Sequence, residues 1–493
     1  MFDQLKLRLS SSGTICGANP AIGNEAKPTI KQIYESRQNF GVNFGSLFVL
    51  EKYIYGDMFI ENTDVELDAI RKCVKSKGLE WTRQKLENHW NRYCTDEDWE
   101  WLKNKGVQSI RIPIGYWMVD GGRFAQGTSF DSVKSVYKNA WTIFIEKYIK
   151  KAAQYHISIL VDLHALENGA NTGQHSGETF SEPGFWKDVK SIDHTCQLLQ
   201  FLSSSIDKYD NISALQIVNE APFDNEAKYQ KKYYTRAINC IRQSNKSIPI
   251  VISDGWWPQQ FADWALEKGG AKLGLIIDDH VYRCFSEDDK NKSADQIISD
   301  LENTVISGDA PQKADFIVGE YSCVLDGKTW EKTQGNRSEK VREFGNKEVE
   351  LFQKRACAGY YFWCYKFQYG DGGEWGFRPM IDSGSIPTRN TEPKQPSDSE
   401  FKKYLHDFLK GHEDYWNSQN PNEQYEHWRY QDGFTTAWND SLEFSKFDNS
   451  RIGRVNSWKA ARRAQYVHNK GESRFLWEWE QGFDKALEVF QNL

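Results

Sequence analysis

Short apolar runs recur along the chain, separated by longer polar and amphipathic stretches. Eight stand out: FGVNFGSLFVL (40–50), VQSIRIPIGYW (107–117), ISILVDLHA (157–165), ISALQIVNEA (212–221), IPIVISDGW (248–256), LGLIIDDHVY (273–282), DFIVGEYS (315–322) and AGYYFWCYK (358–366). They are close to continuous rather than strictly alternating, which predicts strands paired in parallel and covered on both faces. Segments between them, such as KNAWTIFIEKYIKKAAQYH (138–156), read as amphipathic helices. Eight strand–helix units within roughly 330 residues predict an α/β fold of the (β/α)8 TIM-barrel class. An open doubly wound sheet is the alternative, and the lack of a G-x-G-x-x-G after the first run counts against it.

The stretch LQIVNEAP (215–222) indicates what such a barrel is for. Leu215, Ile217 and Val218 have the profile of a buried strand, yet Asn219, Glu220 and Pro222 follow at once. A buried carboxylate is costly unless it is paired or protonated. A strand-end turn explains Asn and Pro on their own. The other runs, however, end in the same way. Glu51 follows the first, Arg111 lies in the second, His164 in the third and Asp254 in the fifth. His280 and Tyr282 close the sixth, Glu320 the seventh and Trp363 the eighth. The C-terminal ends of barrel strands meet at one mouth, so these groups converge on one site.

Residues 1–39 read as an N-terminal segment and 40–382 as the barrel. SGSIPTRNTEPKQPSDSE (383–400) reads as a Pro/Ser-rich linker. The remainder, 401–493, reads as a mainly helical, Trp-rich extension. It contains an internal echo, WRYQDGFTTA (428–437) and WEWEQGFDKA (477–486), both of the form W-x4-G-F-x2-A. Two copies do not make a solenoid; they read as helices anchored by Trp.

Composition narrows the function classes. A net charge of −7 excludes a nucleic-acid footprint. The nine Cys form neither a CxxC pair nor a metal-ligand spacing. The first residues lack the apolar core of a secretory signal, and no run approaches the ~20 apolar residues of a transmembrane span. The expectation is a cytoplasmic protein with reduced thiols, needing no cofactor and no metal.

Two carboxyl groups flanking an anomeric carbon suffice to cleave a glycosidic bond. In a retaining enzyme one attacks and the other protonates the leaving oxygen. Glu220 and Glu320 end strands four and seven, which face each other across an eight-stranded mouth. Their surroundings must split their pKa values, and Arg111, His280 and Tyr282 are suited to that work.

The motifs GVNFGSLFVLE (41–51), HWNRYCTDEDWEWLKNKGVQSIRIPIGYW (89–117), DLH (162–164), VNEAP (218–222), HVY (280–282), GEYS (319–322) and YFWCYK (361–366) occur in this order. Together they resemble glycoside hydrolase family 5, and within it the fungal exo-β-1,3-glucanase branch, over residues 40–380. The resemblance implies a retaining β-glucosidase or exo-β-1,3-glucanase acting on a β-linked glucoside. It implies that Glu220 is the general acid/base and that Asn219 contacts the sugar 2-hydroxyl. Glu320 would be the nucleophile, oriented by Arg111 and Tyr282. His164, His280 and Glu51 would bind the −1 sugar, and Trp363 would be the platform beneath it.

The departures fall on recognition loops. Leu47 stands where the secreted exo-glucanases carry Trp, ALENGANTGQHSGE (165–178) replaces their Gly-Ala-Pro-Gly loop, and His175 stands near an acidic position. A second substrate reading is therefore a steryl or ceramide β-glucoside, marked by an apolar patch beside the mouth. A reading of another class is a carbohydrate-binding barrel without turnover, marked by a missing carboxylate. A metal-dependent hydrolase built on His164, His280, Asp162 and Asp279 lacks the H-x-H usual on the first strand. Asp254 reads as structural.

Overall fold

A computed structural model describes residues 13–18 and 27–493. Eight parallel strands close in sequence order into a barrel: β1 (Asn39–Asn43), β2 (Ser109–Gly115), β3 (Ser158–Ala165), β4 (Ile212–Gln216), β5 (Ile250–Ser253), β6 (Leu275–Val281), β7 (Asp315–Tyr321) and β8 (Gly359–Phe362). β8 returns to β1 through Asn39↔Gly359 to Val42↔Phe362, so no edge is left and the open sheet is excluded. The strands are shorter than the apolar runs. In FGVNFGSLFVL the strand stops at Asn43, and Ser46 takes a left-handed φ of 55°. Leu47 to Leu50 are nonetheless buried, as loop residues. The length of an apolar run thus reports burial, not strand.

The barrel interior is layered. Leu160, Ala214, Val251, Ile276, Ile317, Ala358 and Tyr361 form one apolar cluster inside it. Two residues further along β3, β4 and β6, on the same face, come Asp162, Gln216 and Asp278, all buried. Another step of two reaches His164 and His280. The ladder shifts register at Asp279/His280 and between Val318 and Tyr321, and such bulges re-aim the side chains beside them. Gly319 fits there because a Cβ would lie 2.2 Å from Asp278 Oδ1, the atom that accepts its N–H at 2.7 Å.

A second compact unit contains residues 390–493 and the described part of 20–38. Its helices are Ile30–Ser36, Asp398–Gln419, Trp428–Lys446, Val455–Lys470 and Leu476–Gln491. The end of the Pro/Ser-rich stretch starts the second of these: Ser397 and Glu400 form a capping box. The unit has its own core, including Ile33, Phe434, Trp438, Trp458, Trp479 and Phe483. The W-x4-G-F-x2-A echo is explained by one helix crossing. A Cβ on Gly433 would sit 2.0 Å from the Trp479 carbonyl oxygen, and one on Gly482 would sit 2.1 Å from that of Tyr430. Each glycine admits the backbone of the other helix. Residues 13–18 lie in the barrel unit, where Cys16 N–H and the Thr14 carbonyl bracket the Asn239 side chain. No helix among the described residues is long and apolar enough to cross a membrane.

Candidate active site

Glu51, His164, Asn219, Glu220, Tyr282, Glu320 and Trp363 line one cavity of about 270 Å³ at the C-terminal mouth of the barrel. Arg111 and His280 stand behind its wall and bond to its carboxylates. All nine residues singled out from the sequence are therefore brought together.

Arg111, wholly buried in β2, organises the floor. Its Nη1 donates to Glu320 Oε1 (2.8 Å) and Asn43 Oδ1 (3.0 Å), its Nη2 to Asn219 Oδ1 (2.7 Å), and its Nε to Gln216 Oε1 (3.0 Å). It also pairs with Asp162 at 3.0 Å. Burial works against the cation, but Asp162, Glu320 and Asp278 outweigh it and raise the Arg111 pKa. The second oxygen of Glu320 accepts from Tyr282 Oη at 2.8 Å. Both oxygens of Glu320 thus face fixed donors, an arrangement suited to a carboxylate poised for attack.

β4 ends at Gln216, so Asn219 and Glu220 lie in the turn beyond it and not in the strand. Glu220 has a left-handed φ of 44°, which for a non-glycine residue costs about 1–3 kcal/mol and is commonly retained at functional sites. Asn171 holds this turn, its Nδ2 donating to the carbonyl oxygens of Asn219 and Glu220, each at 3.3 Å. Glu220 Oε1 lies 3.0 Å from His280 Nδ1, and Oε2 lies 3.4 Å from His175 Nε2. Burial pushes the Glu220 pKa up. The His280 hydrogen bond and the fields of His175, His280 and His164 more than reverse this, leaving it below the ordinary carboxylate value.

His280 is pushed down by burial, but Glu320, Asp278 and the bonds to Asp278 and Glu220 carry it well above 6.5. Its Nε2 faces Asp278 Oδ2 at 3.1 Å, so carboxylates engage both ring nitrogens. The proton of the His280–Glu220 hydrogen bond thus lies on the imidazole side. Glu51 is different: burial, then the charges of Glu320 and Glu220, push its pKa well up.

Ligand-capable atoms of Glu220, His280 and Glu320 all lie within 4.8 Å of one another. At least one oxygen of each carboxylate therefore lies within 4.8 Å of the other, well short of the ~6.5–9.5 Å of inverting pairs. Trp363 donates through Nε1 to Tyr53 Oη at 2.7 Å, and its ring lies 8° from parallel with that of His164. The Trp363–Cys364 peptide is cis.

Several contributors escaped the sequence reading. Asn43 and Gln216, the last residues of β1 and β4, and Asp278, in the middle of β6, are strand residues whose signal is their inward register. Tyr53, Trp256, Phe285 and Trp375 line the cavity from loops. His175, noted above as a departure, presents a solvent-shielded Nε2 with no hydrogen-bond partner. Burial lowers its pKa to about 4, against the pull of Glu220, so it is neutral at pH 7. Asp254 is outside the cavity lining and accepts the Trp256 N–H at 3.0 Å. Its pKa is driven up by burial and then by Asp279.

The profile described as Cellulase (glycosyl hydrolase family 5) matches residues 74–368, and that described as Glucan 1,3-beta-glucosidase 3 C-terminal domain matches 397–493. An uncharacterized glycosyl hydrolase of Saccharomyces cerevisiae is 42% identical over 468 residues, covering 93% of this chain and 92% of its own. Glucan 1,3-beta-glucosidase 3 of Schizosaccharomyces pombe is 28% identical over 461 residues, covering 92% and 96% respectively. Among solved structures, a rutinosidase from Aspergillus niger is similar with a TM-score of 0.54 at 18% identity, over 71% of this chain and 98% of that one. That likeness concerns the fold alone.

Proposed function

Because the chain belongs to glycosyl hydrolase family 5 and is a glycosidase, we propose that it cleaves a β-linked glucoside by double displacement with retention. Glu320 attacks the anomeric carbon while the proton shared by Glu220 and His280 passes to the leaving oxygen. Water then enters, Glu220 takes its proton, and the sugar leaves Glu320 with retained configuration. Asn219, His164 and Glu51 hold hydroxyls, and Trp363 backs the ring. The observation that carries this reading is the carboxylate pair itself: oxygens within 4.8 Å, with both oxygens of Glu320 held by donors.

The test is mass spectrometry after incubation with an activated 2-deoxy-2-fluoro-β-glucoside. One glycosyl adduct on the peptide containing Glu320 is expected. An adduct on another carboxylate would overturn the assignment. Sugar binding with no adduct and no hydrolysis would favour the non-catalytic barrel.

A specific observation favours an apolar leaving group over a short β-1,3-glucan. Phe223, Trp256, Trp257 and Phe285 are 42–63% exposed. Trp256 and Phe285 line the cavity itself, and the Phe223 and Trp257 rings pack at a tilt of 30° with centroids 6.3 Å apart. A steryl or ceramide glucoside would cover such a band. Higher kcat/KM on a micellar steryl glucoside than on laminaribiose supports this; the reverse order supports the glucan. None of the nine cysteines is in a disulfide, which supports a reducing, cytoplasmic setting.

A further inference from the structure

The C-terminal unit contains a cluster that glycoside cleavage does not use. His412 lies on the Asp398–Gln419 helix, His427 directly precedes Trp428–Lys446, and Glu478 is in the first turn of Leu476–Gln491. Glu478 Oε2 is 2.7 Å from His427 Nδ1 and 3.0 Å from His412 Nε2. Glu478 has no solvent exposure, and among the described residues no Lys or Arg forms an ion pair with it. Among those residues, its two oxygens are engaged by the two imidazoles and the Glu426 N–H alone.

We propose that His412, His427 and Glu478 bind one divalent transition-metal ion, zinc by the chemistry of the donors, which staples three helices together. The three donor atoms lie within 4.8 Å of one another, on three different helices or their ends. Two imidazoles and a carboxylate form a sulfur-free set that zinc accepts at ~2.0–2.2 Å, with water in the fourth place. The ligands are also held from behind, as metal ligands are. Glu478 Oε1 accepts the Glu426 N–H at 2.8 Å, and His427 Nε2 lies 3.3 Å from Asn417 Oδ1.

His427 thus presents Nδ1 to the cluster while its Nε2 is held by the Asn417 amide, the usual arrangement of an imidazole that binds a metal through one nitrogen. On the 22-residue Asp398–Gln419 helix His412 is the one buried residue, while Phe401, Tyr404, Leu405, Phe408 and Leu409 are half-buried against the core of the unit.

The test uses the full chain, equilibrated with zinc chloride, desalted and analysed for metals. About one zinc per chain is expected. The melting temperature should fall on chelation and recover with zinc, by about 5 °C or more. Cobalt added to chelated wild-type protein should give the visible absorption of a low-symmetry, roughly tetrahedral site, which requires no variant to fold. The H412N/H427N double variant should lose the bound equivalent. Two results would overturn the proposal. One is folded wild-type protein with negligible metal after equilibration and a melting temperature indifferent to zinc and chelator. The other is a double variant that still holds one zinc.

Discussion

The barrel mouth and the helical unit each gather carboxylate and imidazole groups within 4.8 Å, as Glu220–His280–Glu320 and His412–His427–Glu478. The residue types are the same and the neighbourhoods are not. At the mouth, Arg111 already supplies a fixed cation, Tyr282 a fixed donor, and an open cavity adjoins both carboxylates. In the helical unit no Lys or Arg pairs with Glu478, and Tyr430 packs 4.2 Å from the His412 ring. The difference teaches that residue identity alone does not separate proton transfer from ion binding. The charge already in place beside the cluster does. A second cation at the mouth would meet Arg111; a first cation at Glu478 meets none.

The largest expected effect falls at the mouth. Glu320→Gln should lower kcat by on the order of 10^4-fold or more, in steady-state assays with any aglycone. Wild-type-like turnover would end the comparison, because the mouth would no longer be the chemical member of the pair. Glu220→Ala should cost about 10²–10⁴-fold on glucosides with poor leaving groups and far less on activated aryl glucosides. Equal losses on both would remove Glu220 from the acid role.

pH sharpens the same contrast. His280 is raised above 6.5, so its proton is retained through the ordinary histidine range and lost only as pH climbs past the raised value. The kcat/KM profile for a poor leaving group should therefore stay level through pH 6.5 and fall on the alkaline side. A fall centred at or below 6.5 would contradict the shared proton. His175→Ala should cost roughly 10-fold in kcat/KM, the scale of one hydrogen-bonding partner, with the loss concentrated on poor leaving groups. The smallest effect concerns packing. Gly433→Ala would place a Cβ 2.0 Å from the Trp479 carbonyl, and overpacking of this kind costs about 1–3 kcal/mol. A few degrees of lost melting temperature, read by calorimetry, is the expected result.

The barrel was legible because strands covered on both faces leave continuous apolar runs, and eight of them in alternation with helices allow few architectures. The mouth was legible because chemistry at strand ends interrupts those runs with Glu, His and Asn. What escaped was of two kinds. Asn43, Gln216 and Asp278 belong to strands, where a single polar letter among apolar ones looks like a tolerated exception. Only the inward register, set by pairing, turns them toward Arg111 or the layer beneath it. Tyr53, Asn171 and Phe285 come from loops, whose course no periodicity encodes. The W-x4-G-F-x2-A echo was visible as text, but its meaning lay in a contact between two helices. The His412–His427–Glu478 cluster spans 67 positions of chain, too widely and irregularly for a spacing rule to find.

Arg111 has one further consequence, which concerns how the barrel assembles. Its guanidinium is bonded to groups from β1, β3, β4, the turn after β4, and β7. Closing the ring without seating Glu320, its closest carboxylate, would bury the cation underpaired, and breaking a buried ion pair costs about 3–5 kcal/mol, on the order of the whole margin by which many domains stay folded. A barrel closed with β7 out of register is penalised accordingly, so Arg111 ties closure of the ring to the placing of the Glu320 side chain.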